Sequence, residues 1–291
     1  MTGLTFNGIT LEINELGAQL TRVYDSKTGT EYLWLGDPAY WTGHAYILWP
    51  FVGRQQDGKY TYKGKTYEMK MHGLARYSTF AVTDRTESSV TFTLCSDEET
   101  KKVYPFSFVF SVRYSIEGNT VTETVLVENK DSVDLPYGFG GHPGFNVPLE
   151  KGPVFTDYYV EFPDAGDMKR LLFSPRFLMS GEEEETDTLS GNRMPLHHDL
   201  FDNDAVVLSN TGYRAVIKSD KGERAVEVDY PGCPWCGIWH AVKKDAPYVC
   251  IEPWWTLPGP DGVVLDFETA EGLFHLAPGK SAEHSLIIKL L

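Results

Sequence analysis

Four polar side chains in this chain of 291 residues occupy settings that a strand does not choose for its own stability: Arg54, His72, His142 and Glu252. His142 lies in Gly138-Phe139-Gly140-Gly141-His142-Pro143-Gly144-Phe145-Asn146. Glycines let a backbone bend and a ligand approach closely, and Pro143 removes a ladder donor, so the segment reads as the broken end of a strand. Glu252 ends the apolar run Tyr248-Val249-Cys250-Ile251 and precedes Pro253-Trp254-Trp255. Partial desolvation there raises a carboxyl from about 4.3 toward the range of a general base. Aromatic planes such as Trp254 are also surfaces on which sugar rings stack. His72 is followed by Gly73 and, four residues on, by Arg76; Arg54 ends the run Trp49-Pro50-Phe51-Val52-Gly53. Arg54 reads equally well as a surface arginine, because Gln55, Gln56 and Asp57 lead the chain out of the core. Glu252 could instead pair with a structural arginine.

The elements that must position these groups are strands. From Ser78 to Asn129 a period of two persists, as in Phe106-Ser-Phe-Val-Phe-Ser-Val-Arg-Tyr and Thr120-Val-Thr-Glu-Thr-Val-Leu-Val, which predicts antiparallel strands with one wet face. Asp25 to Thr30 and Lys63-Gly64 read as hairpin turns. The stretch 148–200, with prolines at 148, 153, 163, 175 and 195, reads as long loops. No apolar stripe of helical period lasts a dozen residues, so helices are short connectors. The expected fold is all-β: one large antiparallel β-sandwich over residues 1–291, with no linker or repeat to divide it.

The net charge of −15 argues against nucleic acid and anionic membrane surfaces as partners. No apolar run approaches the roughly 20 residues of a spanning helix, and no signal-like segment opens the chain. Four cysteines suit a reducing compartment, so a cytoplasmic protein is expected. Glu182 to Glu185 reads as a solvated loop. Cys233, Cys236, His240 and Cys250 have nominal zinc spacing but lack a second Cys-x-x-Cys pair, so no metal site is assigned to them. His197-His198-Asp199 reads as solvated, and Pro258 to Gly262 as a turn that could edge a cleft.

Four segments, in order along the chain, resemble the aldose 1-epimerases, the galactose mutarotase-like family: Trp49 to Arg54, Met71-His72-Gly73, Gly141 to Asn146 and Val249 to Trp254. The resemblance implies a sandwich with an open cleft across one concave sheet, the supersandwich of that family. It implies Glu252 as the base that takes the anomeric hydroxyl proton and His142 as the acid at the ring oxygen, with His72 and Arg54 binding ring hydroxyls or assisting at the ring oxygen. A sugar-gripping aspartate falls at Asp202 or Asp204, with Asp204 favoured because it abuts a strand. Arg76 resembles a phosphate contact of the hexose-phosphate branch. One acid and one base suffice for hemiacetal opening, so no metal or organic cofactor is called for. The expected partner is a small aldose, the expected assembly a monomer or homodimer. His142 and Glu252 should line one cleft about a sugar's width apart. The rivals are a glycoside hydrolase, which needs two facing carboxylates, and a sugar-binding protein without catalysis.

Overall fold

The structure, a computed structural model, describes residues 1–291. Two large antiparallel sheets dominate it. The larger has nine strands in the order Arg193–Pro195, Tyr158–Glu161, Arg214–Ser219, Val226–Asp229, Ser281–Leu290, Thr120–Asn129, Phe108–Glu117, Ser89–Cys95, Ala81–Arg85. The second has seven: Met179–Glu184, Lys169–Phe173, Val206–Ser209, Trp235–Trp239, Tyr248–Trp254, Gly140–Asn146, Ala45–Leu48. A smaller four-stranded sheet spans Thr2–Phe6 to Thr30–Glu31. The only α-helix, Glu98–Val103, is capped by Asp97, whose carboxylate accepts from the Glu99 and Thr100 amides. No helix is long and apolar enough to cross a membrane.

Local chemistry explains the longest hairpin. Phe108–Glu117 and Thr120–Asn129 alternate buried and wetter positions along their length, so each strand contributes one face to the core. Gly118 takes a φ of +60° in the two-residue loop between them. Lys63 and Gly64, both at positive φ, close the hairpin of Lys59–Tyr62 with Lys65–Glu68, as their types predict.

Two expectations change. Residues 148–200 are not all loop: Tyr158–Glu161, Lys169–Phe173, Met179–Glu184 and Arg193–Pro195 are strands. They are short and lie at or near sheet edges, where Pro195 is tolerated on the outermost strand and Pro175 sits between two strands. The acidic run Glu182 to Glu184 lies on such an edge, exposed, where charge discourages pairing with another chain. The glycine-rich segment around His142 is likewise an interior strand of the seven-stranded sheet rather than a strand's end. It pairs with Ala45–Leu48 through Gly140 to Pro143, and with Tyr248–Trp254 at Gly140 and then only from Gly144 onward. The break in that ladder is where Pro143 can donate nothing.

One buried carboxyl sets a pH dependence of stability. Glu123, 5% exposed, faces Tyr114, whose hydroxyl lies 2.8 Å from the Ala18 carbonyl and 2.9 Å from Glu123 Oε2. One hydroxyl proton serves only one acceptor, so a protonated Glu123 donates the second bond. Burial pushes its pKa up to about 7 from 4.5. The folded chain therefore keeps a proton that the unfolded chain releases above about 4.5. Stability from this group is full below that pH and is lost as pH rises to about 7, by on the order of 3 kcal/mol. Glu123→Gln is expected to gain stability over wild type at pH 8 relative to pH 5 in urea unfolding. An unchanged difference between the two pH values would refute this.

Candidate active site

Strand register brings the two central groups together. Gly140 faces Trp254 and Gly144 faces Cys250 across the same pair of strands, so His142 stands directly opposite Glu252. Both point to the open face of the seven-stranded sheet, and cross-strand Cβ atoms lie about 5 Å apart. His142 Nε2 is 3.1 Å from Glu252 Oε1. The two groups line one cleft as expected, but not a sugar's width apart: they touch. Along Tyr248–Trp254 the alternation is clear, with Val249 and Ile251 in the main core and Tyr248, Cys250 and Trp254 in the clusters on the cleft side. Gly237, opposite Glu252, leaves its side chain room; a Cβ there would lie 3.4 Å from the Glu252 Cβ.

The pair is almost dry, at 7% exposure for His142 and 2% for Glu252. Burial holds the Glu252 carboxyl well above its usual range, the Asp204 charge pushes the same way, and Trp254 opposes them. Burial pushes His142 down to about 3, helped by the Arg76 charge. Both shifts disfavour charge, so the pair holds one proton between Oε1 and Nε2 and titrates as a unit. His142 Nδ1 is buried with no hydrogen-bond partner, and Trp254 Nε1, near the Glu252 carboxylate, makes no hydrogen bond of normal geometry. Both residues line the cavity, which leaves their polar atoms for a ligand.

The remaining candidates line the same cavity of about 360 Å³: Trp254 from the end of the Glu252 strand, Arg76 from the 3-10 turn Ala75–Tyr77, and Arg54, His72 and Asp204 from loops. His72 takes a φ of +66°, and its amide donates to the Gly53 carbonyl at 2.8 Å. Its Nδ1 accepts from the Gly53 amide at 3.2 Å, which puts the proton of the neutral ring on Nε2. Burial, with the His142 and arginine charges, keeps His72 well below its usual pKa, so it stays a neutral donor. Its ring stands perpendicular to His142 at 5.8 Å between centroids. Arg54 is anchored through its carbonyl, which accepts from Gly259 at 2.8 Å. Pro258, next to that anchor, edges the cleft. Asp204, at φ +78°, has one carboxylate oxygen on the Ala205 amide at 3.0 Å, while burial raises its pKa. Asp202 is exposed and outside the cavity.

Several cavity residues had drawn no attention in the sequence. Trp41 stacks on His142 at 5.0 Å and 27°, while Tyr46 and Trp239 meet the same imidazole edge-on. Gly43 and Gly144 make room for the indole: a Cβ would come within 2.4 Å and 3.1 Å of it. The signal available was Trp41 two residues before Gly43, a large plane close to a residue with no side chain. The unassigned zinc spacing is divided between faces, with Cys233 and Cys236 in the main core and Cys250 on the cleft side. His240 gives Nδ1 to its neighbour's carbonyl and meets His198 through Nε2 at 3.0 Å. His198 is thus tucked against Phe155 rather than solvated.

The aldose 1-epimerase family model matches residues 3–289. The plasmid-encoded protein LacX of Lactococcus lactis subsp. lactis is 31% identical over 254 residues, 84% of each chain. A galactose mutarotase related enzyme from Lactobacillus acidophilus superposes with a TM-score of 0.91 at 35% identity, covering 100% of this chain and 97% of that one. A galactose mutarotase-like protein from Lactobacillus casei gives 0.93 at 32% identity, with both chains fully covered.

Proposed function

The chain belongs to the aldose 1-epimerase family, and from that premise we propose that it interconverts the α and β anomers of a hexose through Glu252 and His142. The observation that carries the assignment of roles is their 3.1 Å contact. Ring opening takes a proton from the anomeric hydroxyl and gives one to the ring oxygen. Both oxygens are bonded to one carbon, so the acid and base must be neighbours rather than a ring's width apart. Burial keeps the resting pair neutral, and shifting the shared proton from Oε1 to Nε2 makes Glu252 the base and His142 the acid; the carboxylate then gains a proton as the imidazolium loses one. The pair carries a single proton before and after, and ring closure from the other face of the aldehyde returns it. No proton need be exchanged with solvent in a site this dry.

The surrounding groups fit binding. His72 offers an Nε2 donor, Asp204 a second carboxylate oxygen beside Trp239, Arg54 a guanidinium and Trp254 an indole plane. In this reading residues 1–291 act as one catalytic domain, alone or as a homodimer. The four cysteines are unpaired, in keeping with a reducing cytoplasm. A second reading has a specific observation behind it: the Arg54 and Arg76 guanidiniums lie over the rings of Phe177 and Tyr46, not against carboxylates. Two unpaired cations in a chain of net charge −15 favour a phosphorylated hexose.

Polarimetry on freshly dissolved α anomers of glucose, galactose and their 6-phosphates tests both readings. The protein is expected to speed the approach to equilibrium rotation for at least one of them, and no acceleration with any would refute the proposal. Asp204→Asn is expected to raise KM about 10–100-fold with little change in kcat, as for a lost hydrogen bond to a charged group. A fall in kcat at constant KM would instead put Asp204 in the proton transfer.

A further inference from the structure

Cys250 has no part in the proton transfer, yet it stands beside the pair that does. It lies two residues before Glu252 on one strand, so the sheet's alternation turns both side chains to the cleft face. Its cross-strand partner is Gly144, whose missing side chain leaves room for the Trp41 indole: a Cβ there would lie 3.1 Å from that ring and 3.3 Å from Cys250 Sγ, so Trp41 lies over this corner. The corner is thus bounded by Cys250, Glu252 and, opposite Glu252, His142. One donor atom from each, sulfur, oxygen and nitrogen, lies within 4.8 Å of the other two. All three residues are buried, and the Nδ1 atom of His142 has no partner.

We propose that His142, Cys250 and Glu252 form a binding site for a borderline-soft divalent cation such as Zn²⁺, which excludes the sugar when it is occupied. Thiolate, imidazole and carboxylate are the ligand types Zn²⁺ takes, and three protein ligands with one open position is the pattern of a reactive rather than a purely structural site. His142 and Glu252 line the cavity while Cys250 is fully buried outside its lining, so the fourth position would open on the side of His142 and Glu252. Thiolate and carboxylate together cancel the ion's charge, as a dry site requires. Zinc bond lengths put tetrahedral ligand atoms about 3.3–3.6 Å apart, so donors within 4.8 Å of one another close by at most about 1.5 Å. Resident metal sites orient a ligating histidine by giving its other nitrogen a carboxylate or carbonyl. With Nε2 on the cation, the other nitrogen of His142, Nδ1, has no such partner. The cation is therefore a reversible inhibitor that takes the lone pairs on which proton transfer depends, and not a cofactor. Its inhibitory effect rests on the proposed roles of Glu252 and His142; its binding does not.

Binding is read without activity by titrating the full chain with Co²⁺, in a Cys95→Ser background because Cys95 is exposed. Expected is one equivalent of Co²⁺ with a thiolate-to-cobalt charge-transfer absorption and the visible bands of a tetrahedral ion, both lost in Cys250→Ser. Absence of the charge-transfer band, or its survival in Cys250→Ser, would overturn the site. In parallel, Zn²⁺ should suppress anomer exchange, with recovery on adding EDTA. Loss of a supporting partner alone costs about 10–100-fold in metal affinity. Loss of the ligand itself should thus weaken Zn²⁺ inhibition at least about 100-fold in Cys250→Ser, whose metal-free rate and circular dichroism report its folding. Equal Zn²⁺ sensitivity of wild type and Cys250→Ser would overturn the proposal even if Co²⁺ binds elsewhere. If the protein exchanges no anomers at all, the Co²⁺ spectrum still decides the site.

Discussion

Glu252→Gln and His142→Asn are each expected to slow anomer exchange by about 10²–10⁴-fold, the contribution of a positioned general acid or base. The double variant should be little slower than either single one. The reason is the shared proton: Oε1 and Nε2 stand 3.1 Å apart and pass one proton between them, so removing either member disables both steps. Residues that act as a unit give grossly non-additive losses. Neither substitution should unfold the chain. Gln keeps the volume of Glu252 and removes a group that burial makes costly to ionise, so its melting temperature should equal or exceed that of wild type. Polarimetric rates on all four proteins check this. Losses that multiply in the double variant would mean two independent groups, and wild-type rates in either single variant would end the assignment.

Gly73→Ala is expected to lower stability by about 3 kcal/mol or more and to slow exchange in whatever remains folded. Gly73 has a φ of +78°, and a Cβ on it would lie 2.3 Å from the Trp49 carbonyl oxygen and 2.7 Å from the Pro50 nitrogen. Those atoms are backbone, and they are held: the Leu74 and Ala75 amides both donate to that same oxygen at 2.9 and 3.0 Å. Relief requires giving up these bonds or moving the loop that carries His72, and a shift of about 1 Å in a positioning group can cost 10²-fold in rate. Gly64→Ala supplies the control. Gly64 also has positive φ but nothing within 4 Å of a new Cβ, so only the left-handed backbone term of about 1–2 kcal/mol applies. Urea unfolding of both variants checks the difference; equal losses would show that the Trp49 contact is not what Gly73 serves.

Much of the architecture was legible in the chain. Sustained period-two patterns from Ser78 to Asn129 became the strands Ala81–Arg85 through Thr120–Asn129, because alternation depends only on neighbours along the chain. Lys63-Gly64 became a hairpin turn because its residue types tolerate positive φ. The stretch 148–200 was misread because short edge strands carry too few residues to display a period, and prolines there do not forbid pairing on one side. His142's segment was misread for a related reason: its glycines hid an interior strand whose partners lie over 90 residues away in each direction.

By itself, the sequence determined the all-β class, the residue types capable of acid–base chemistry and their order, since these depend on composition and local pattern. The tertiary structure alone decided that His142 faces Glu252 in contact. Register is chosen by the whole sheet, and a slip of one residue would have turned one of them into the core. It likewise decided that Trp41 covers the imidazole, that Asp204 rather than Asp202 reaches the cavity, and that Cys250 shares a corner with the pair. Each of these depends on chain segments brought together from far apart, which no local pattern encodes.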